Sequence, residues 1–195
     1  MPLFAQDFLR YMAFQPAAGP SFKVTDFDFD RDPPRMASTA AMYNAATFDP
    51  GTGETDAGDL SAFREAGGKL IMYHGWADPL VTPQLTVDFF ESLAKKSGGV
   101  AATQTFARLF MVPGMDHCGI QTGGPGIADT GIDPLTALER WIEEGKAPTE
   151  LIATKTAATG GQTLWRRPIC AYPKVARYQG SGDAADPANF ACVEP

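Results

Sequence analysis

The chain has 195 residues, 23 of them acidic and 16 basic, for a formal net charge of −7. At this length folding buries about 70% of the unfolded chain's surface, enough for one core and too little for two full domains. The acidic balance, with no Lys/Arg-rich run, excludes nucleic acid and anionic membranes as natural partners, and no stretch approaches the roughly 20 apolar residues of a membrane span.

At the N-terminus, MPLFAQDFLRYMAF has no basic region and no small-residue cleavage site, so no signal peptide is expected within this chain. Residues 6–14 read as a short helix burying Phe8, Leu9 and Met12. Phe27-Asp28-Phe29-Asp30-Arg31-Asp32 alternates apolar and acidic residues, the period of a half-buried strand. Ser38–Ala46 is Ala-rich and expected to be helical, Pro50–Gly53 is a turn, and Asp59 reads as the cap of a short helix ended by Gly67.

The pattern sharpens from Lys69. Leu70-Ile71-Met72-Tyr73, running into His74-Gly75, is the continuous apolar run of a parallel strand covered on both faces. Thr82-Pro83 starts a helix that buries Phe89, Phe90 and Leu93 and stops at Gly98. Phe106–Val112 is a second strand, ended by Pro113-Gly114. Asp133-Pro134 opens another helix, expected to bury Leu135, Leu138 and Ile142 and to end at Gly145. Leu151-Ile152-Ala153 reads as a further strand, and the proline-bearing tail from Arg166 as loop. Strand, helix, strand, helix, strand at this spacing predicts an α/β fold with a parallel sheet and flanking helices, and such sheets carry their chemistry at the strands' carboxyl ends.

Asp78 lies just past the first of those ends and His117 just past the second, 39 positions later. In that order they are the back half of a Ser…Asp…His triad of α/β-hydrolase type. Histidine moves the serine proton, and the carboxylate fixes the ring's tautomer and stabilises the imidazolium. His74, at the end of a buried strand, reads instead as a structural hydrogen-bonding residue, and Asp116 as solvated. A Gly-x-Ser-x-Gly elbow is missing: of the six serines, Ser21, Ser38, Ser61, Ser92, Ser97 and Ser181, none has glycine at both −2 and +2. Ser38 is the least implausible local substitute. With two histidines and three widely spaced cysteines, no zinc module is expected, and without a Gly-rich phosphate loop or other fingerprint no cofactor is expected either.

Gly67–Val81 (GGKLIMYHGWADPLV), Gly114–Cys118 (GMDHC), the Asp59–Phe63 segment, and the tail pieces Arg167–Pro173, Gly180–Asp183 and Asn189–Cys192 resemble the tannase/feruloyl esterase family. The resemblance covers most of the chain and is weakest over the first 25 residues or so. It implies a secreted or periplasmic serine esterase with an α/β-hydrolase core, acting on small aromatic acid esters, with Asp78 and His117 as triad acid and base. It makes Cys118 the partner of a cysteine directly before the nucleophile, outside this chain. It makes residues 1–58 a residual lid segment and 59–195 the C-terminal part of the core. The family's calcium site belongs to an earlier part of the lid; the acidic run 26–32 lacks a calcium-loop pattern, so no metal is placed there. Cys170 and Cys192 form the natural intramolecular pair, which requires an oxidising compartment; three buried thiols of a cytosolic protein are the alternative. Two rivals accompany the esterase reading. One is a non-catalytic truncated module that binds aromatics or a partner chain, or forms a homodimer through an exposed sheet edge. The other is an esterase completed by another serine or by a missing N-terminal half.

Overall fold

A computed structural model describes residues 2–14, 16–36, 59–117, 126–127, 131–157 and 159–195. The Ala-rich helix over 38–46, the turn at 50–53, Ser38 and Cys118 fall outside the described residues. The chain forms two compact units, residues 1–57 and 58–195.

In the first unit, helix α1 spans Pro2–Tyr11 and a short helix α2 spans Pro33–Met36. The small core is Leu9, Ala13 and Phe14, with Phe22, Phe27 and Met36 packed against it. Phe8 and Met12, expected inside, are exposed. The expected strand at 27–32 is a turn instead. The Asp28 carboxylate accepts the Asp30 and Arg31 amides, and Asp32, 0% exposed, accepts the Asp28 amide and ion-pairs with Arg31 and Arg35. The alternating acids therefore satisfy a tight turn, the local competition by which Asp side chains displace strand pairing.

The second unit runs α3 (Ser61–Glu65), β1 (Leu70–Gly75), α4 (Pro83–Ser97), α5 (Val100–Thr103), β2 (Ala107–Val112), α6 (Pro134–Glu144), β3 (Glu150–Thr156), β4 (Thr163–Cys170), β5 (Val175–Tyr178) and β6 (Phe190–Val193). β1 and β2 pair in parallel, from Leu70 opposite Ala107 to Gly75 opposite Val112. β2 explains its own sequence. Leu109 and Met111 pack on one face with Val87 and Phe90 of α4, while Phe110 and Val112 pack on the other with Leu151, Ala153 and Ile169. Covered on both faces, it needs apolar residues at successive positions.

α4 begins at Pro83 and ends at Gly98, whose φ of +91° costs a glycine little. In α6, Asp133 accepts the Thr136 amide as predicted, but the helix buries Trp141, with Lys69 and Arg108 over its ring. Leu135 and Ile142 are exposed, at 64% and 62%.

The third predicted strand does not extend the parallel pair. β3 runs antiparallel to β4, from Glu150 opposite Cys170 to Thr156 opposite Thr163. The tail expected to be loop supplies β4, β5 and β6, the last two antiparallel to each other. Both members of a two-stranded sheet are edge strands, so Pro168 is tolerated within β4, where a central strand would exclude it. Ala171 bridges to Phe110 and the Tyr172 amide donates to Leu109 O at 2.8 Å, which attaches this layer to the free side of β2. A disulfide between Cys170 and Cys192 then staples β4 to β6, with Cα atoms 5.6 Å apart.

Candidate active site

The ends of β1 and β2 are held together by main chain. The Trp76 amide donates to Val112 O and the Ala77 amide to Met115 O, each at 3.0 Å. A side chain at Gly75 would place its Cβ 2.1 Å from Met115 O, so glycine alone lets the two loops seat this closely. The loop after β2 is pinned from below as well. Gly126 lies against the Gly114 carbonyl with no room for a Cβ, and its own carbonyl accepts from Lys155 of β3.

These contacts bring the two sequence-predicted residues together. Nδ1 of His117 lies 2.8 Å from Oδ2 of Asp78. The other oxygen, Oδ1, accepts the amides of Leu80 and Val81 at 2.8 and 2.9 Å, so Asp78 closes the turn through Pro79 while also facing the imidazole. Its side chain is 5% exposed and that of His117 is 32% exposed. Burial pushes the Asp78 carboxyl up, but the amides of Val81 and Leu80, then His117 and His74, outweigh it and bring the pKa down to about 2. The group is therefore ionised at neutral pH, and a carboxylate takes only donors. Nδ1 of His117 must carry the proton it donates, which leaves Nε2 with the lone pair a general base needs.

His74 does more than the sequence suggests. Its Nε2 lies 3.1 Å from the same Oδ2, and its Nδ1 lies 2.6 Å from Oγ1 of Thr86. Neither partner is legible in a one-dimensional pattern, because the Thr86 contact depends on α4 packing against β1 and the Asp78 contact on how the turn after β1 curls back. Asp116, expected to be solvated, is buried. The five serines among the described residues stand away from any strand-to-helix elbow: Ser61 opens α3, Ser92 and Ser97 lie in α4, and Ser21 and Ser181 lie in a turn and a bend. Among the described residues, no cluster of three or more His, Cys, Asp or Glu is arranged to hold a metal, and no helix is long and apolar enough to cross a membrane.

Tyr73, Trp76, Leu80 and Val81, around the turn that carries Asp78, are exposed large apolar side chains. The arrangement suits acid–base chemistry beside an apolar surface.

Comparison with known proteins places the chain in a lineage. Residues 3–193 match the family model described as tannase and feruloyl esterase. The mono(2-hydroxyethyl) terephthalate hydrolase of Piscinibacter sakaiensis is 42% identical over 175 residues, covering 89% of this chain and 27% of that protein. A probable feruloyl esterase of Arthroderma benhamiae is 36% identical over 176 residues, covering 89% and 32%. The crystal structure of feruloyl esterase B from Aspergillus oryzae superposes with a TM-score of 0.74 at 27% identity, covering 96% of this chain and 36% of that one. The chain thus spans about a third of the length of the relatives it matches, and its fold is that of part of an α/β-hydrolase-type esterase. The chain belongs to the tannase and feruloyl esterase family.

Proposed function

We propose that this chain is the acid–base portion of a serine carboxylic ester hydrolase acting on aromatic acid esters, with Asp78 and His117 as two members of its triad. The observation that carries the reading is the 2.8 Å contact between Nδ1 of His117 and Oδ2 of Asp78, which leaves Nε2 free to act as base. The nucleophilic serine comes from residues other than 1–195. As its Oγ attacks the ester carbonyl, His117 Nε2 takes its proton and Asp78 stabilises the imidazolium. The tetrahedral intermediate collapses, the C–O bond to the alcohol breaks, and His117 returns the proton to the departing alkoxide. Water then attacks the acyl-serine with His117 again as base, releasing the acid and regenerating the serine.

The names of the relatives and the apolar side chains beside Asp78 favour an aromatic ester as substrate. Residues 1–58 are assigned to the lid, Cys118 to a disulfide with the segment bearing the nucleophile, and the Cys170–Cys192 bond to a secreted or periplasmic setting. The missing elbow favours a second reading for the chain by itself, a module that folds and binds without turnover.

Two constructions separate these. The isolated chain is incubated with p-nitrophenyl acetate, methyl ferulate and a fluorophosphonate. A fusion carries the chain in place of the matching part of the Piscinibacter hydrolase. Turnover by the fusion, lost in His117→Ala and reduced by orders of magnitude in Asp78→Asn, supports the esterase reading. A folded fusion without turnover refutes it, and labelling of the isolated chain by the fluorophosphonate refutes the missing-nucleophile assignment.

A further inference from the structure

Two imidazoles reach one carboxylate oxygen, and the proposed reaction uses one of them. Oδ2 of Asp78 meets His117 at 2.8 Å and His74 at 3.1 Å. Its other oxygen is taken by the Leu80 and Val81 amides, so the carboxylate cannot turn to give each ring an oxygen of its own. His74 is fixed in turn. It sits in β1 opposite Met111, its side chain is 12% exposed, and Thr86 of α4 stands 2.6 Å from its Nδ1. The Thr86 hydroxyl can donate to Nδ1, which puts the ring proton on Nε2, facing Asp78. The opposite tautomer would set a lone pair against a carboxylate and lose that hydrogen bond. The other acids of α4 are engaged elsewhere, Asp88 with Gln84 and Glu91 with Tyr172.

On the reading that Asp78 and His117 are the acid–base pair, we propose that His74 is a positioning residue for His117, acting through Asp78. It donates Nε2–H to the shared Oδ2 and so sets how tightly that oxygen holds the His117 ring. An acceptor that already receives one hydrogen bond offers less to a second. In the resting state the two neutral rings divide Oδ2 between them. When His117 becomes imidazolium it is a charged donor and takes the larger share. Its bond to Asp78 therefore strengthens during proton transfer, the kind of interaction that accelerates a reaction instead of merely tightening the ground state. Thr86 acts one step further out, by fixing which nitrogen of His74 faces the carboxylate.

The chain has two histidines, so ¹⁵N-labelled imidazole NMR of the whole chain resolves both rings without crowding. In the unmodified protein His74 should be the Nε2–H tautomer and His117 the Nδ1–H tautomer. His74→Phe keeps a ring and removes the donor. The His117 Nδ1 proton should then move downfield and exchange with water about threefold more slowly, the size of one modest hydrogen-bond change. His74→Gln, which restores an N–H donor, should return both signals toward their original values, a reversal that mere space-filling does not produce. Thr86→Val should mix the His74 tautomers and shift the His117 proton in the same direction by a smaller amount.

A cooperatively folded His74→Phe with an unchanged or upfield His117 proton overturns the proposal. So does a His74 ring carrying its proton on Nδ1 in the unmodified chain. If His74→Phe does not fold, the native tautomer and Thr86→Val decide. Asp78→Asn separates this proposal from the one it rests on. No response of His117 to Asp78→Asn removes the acid–base pair and the proposal together. A response to Asp78→Asn without one to His74→Phe removes the proposal alone.

Discussion

Replacing both Cys170 and Cys192 by alanine, in a Cys118→Ser background so that a single bond is in question, should lower stability by about 3 kcal/mol. The figure follows from the 22-residue separation between the two cysteines. Cross-linking residues that far apart removes loop-closure entropy from the unfolded chain, and the loss grows only logarithmically with separation. Cys170 is buried, whereas Cys192 lies in a half-buried strand, so lost packing adds a smaller amount on the Cys170 side. For a folded unit of this size, ~3 kcal/mol corresponds to a fall in Tm of roughly 10 °C. Thermal melts followed by circular dichroism, with and without reductant, give the number directly. Reductant should bring the parent protein down to the variant and leave the variant where it is. The same midpoint in parent and variant, with the bond verified by intact mass, would refute the assignment of tail stability to this staple. A variant that also falls in reductant would refute it equally.

Two further outcomes test the packing and the site. Asp78, held at a pKa of about 2 against an ordinary 3.8, stabilises the folded state by about 2 kcal/mol at neutral pH. Because its folded pKa is the lower one, that stabilisation is present above the ordinary value and lost as pH falls toward 2. The stability gap between the parent and Asp78→Asn in urea titrations should therefore narrow between pH 5 and pH 2, and a gap independent of pH contradicts the assignment. On α6, Trp141→Ala should cost about 3–5 kcal/mol while Ile142→Ala changes stability by less than about 0.5 kcal/mol. Equal losses by chemical denaturation would mean that Ile142 is covered.

In the sequence, β2 announces itself because a parallel strand covered on both faces must be apolar at successive positions, and α4 and α6 because Pro83, Asp133 and the glycines after them punctuate helices in a fixed way. β1 has the same apolar run, but Leu70, Ile71 and Met72 are only half-buried and Tyr73 is exposed, so its expected cover on both faces is incomplete. β3 was equally visible as a strand, but Leu151-Ile152-Ala153 carries no sign of its partner, and the antiparallel β4 took it. The strands of the tail were hidden by Pro168, Pro173 and Pro187 and by exposed residues such as Val175 and Tyr178, since rim strands need neither a buried face nor a full set of amides. The helical period misassigned α6 by one position, because Trp141 fits between Lys69 and Arg108 where Ile142 has nothing to meet. In the site, Asp78 and His117 were readable because strand ends in an α/β fold converge. The contact of His74 was not, since its place on Oδ2 depends on how far the turn after β1 curls back.

Peptide groups hold together the loops that carry Asp78 and His117. Trp76 and Ala77 reach Val112 and Met115 through their amides, and the bare Cα of Gly75 marks how closely the two loops are seated. The side chains of Tyr73, Trp76, Leu80 and Val81, by contrast, are exposed around this platform. On the proposed function, chemistry and selectivity would be mechanically separable in this corner of the fold: variation could recut the exposed apolar surface while the spacing of Asp78 and His117 is kept.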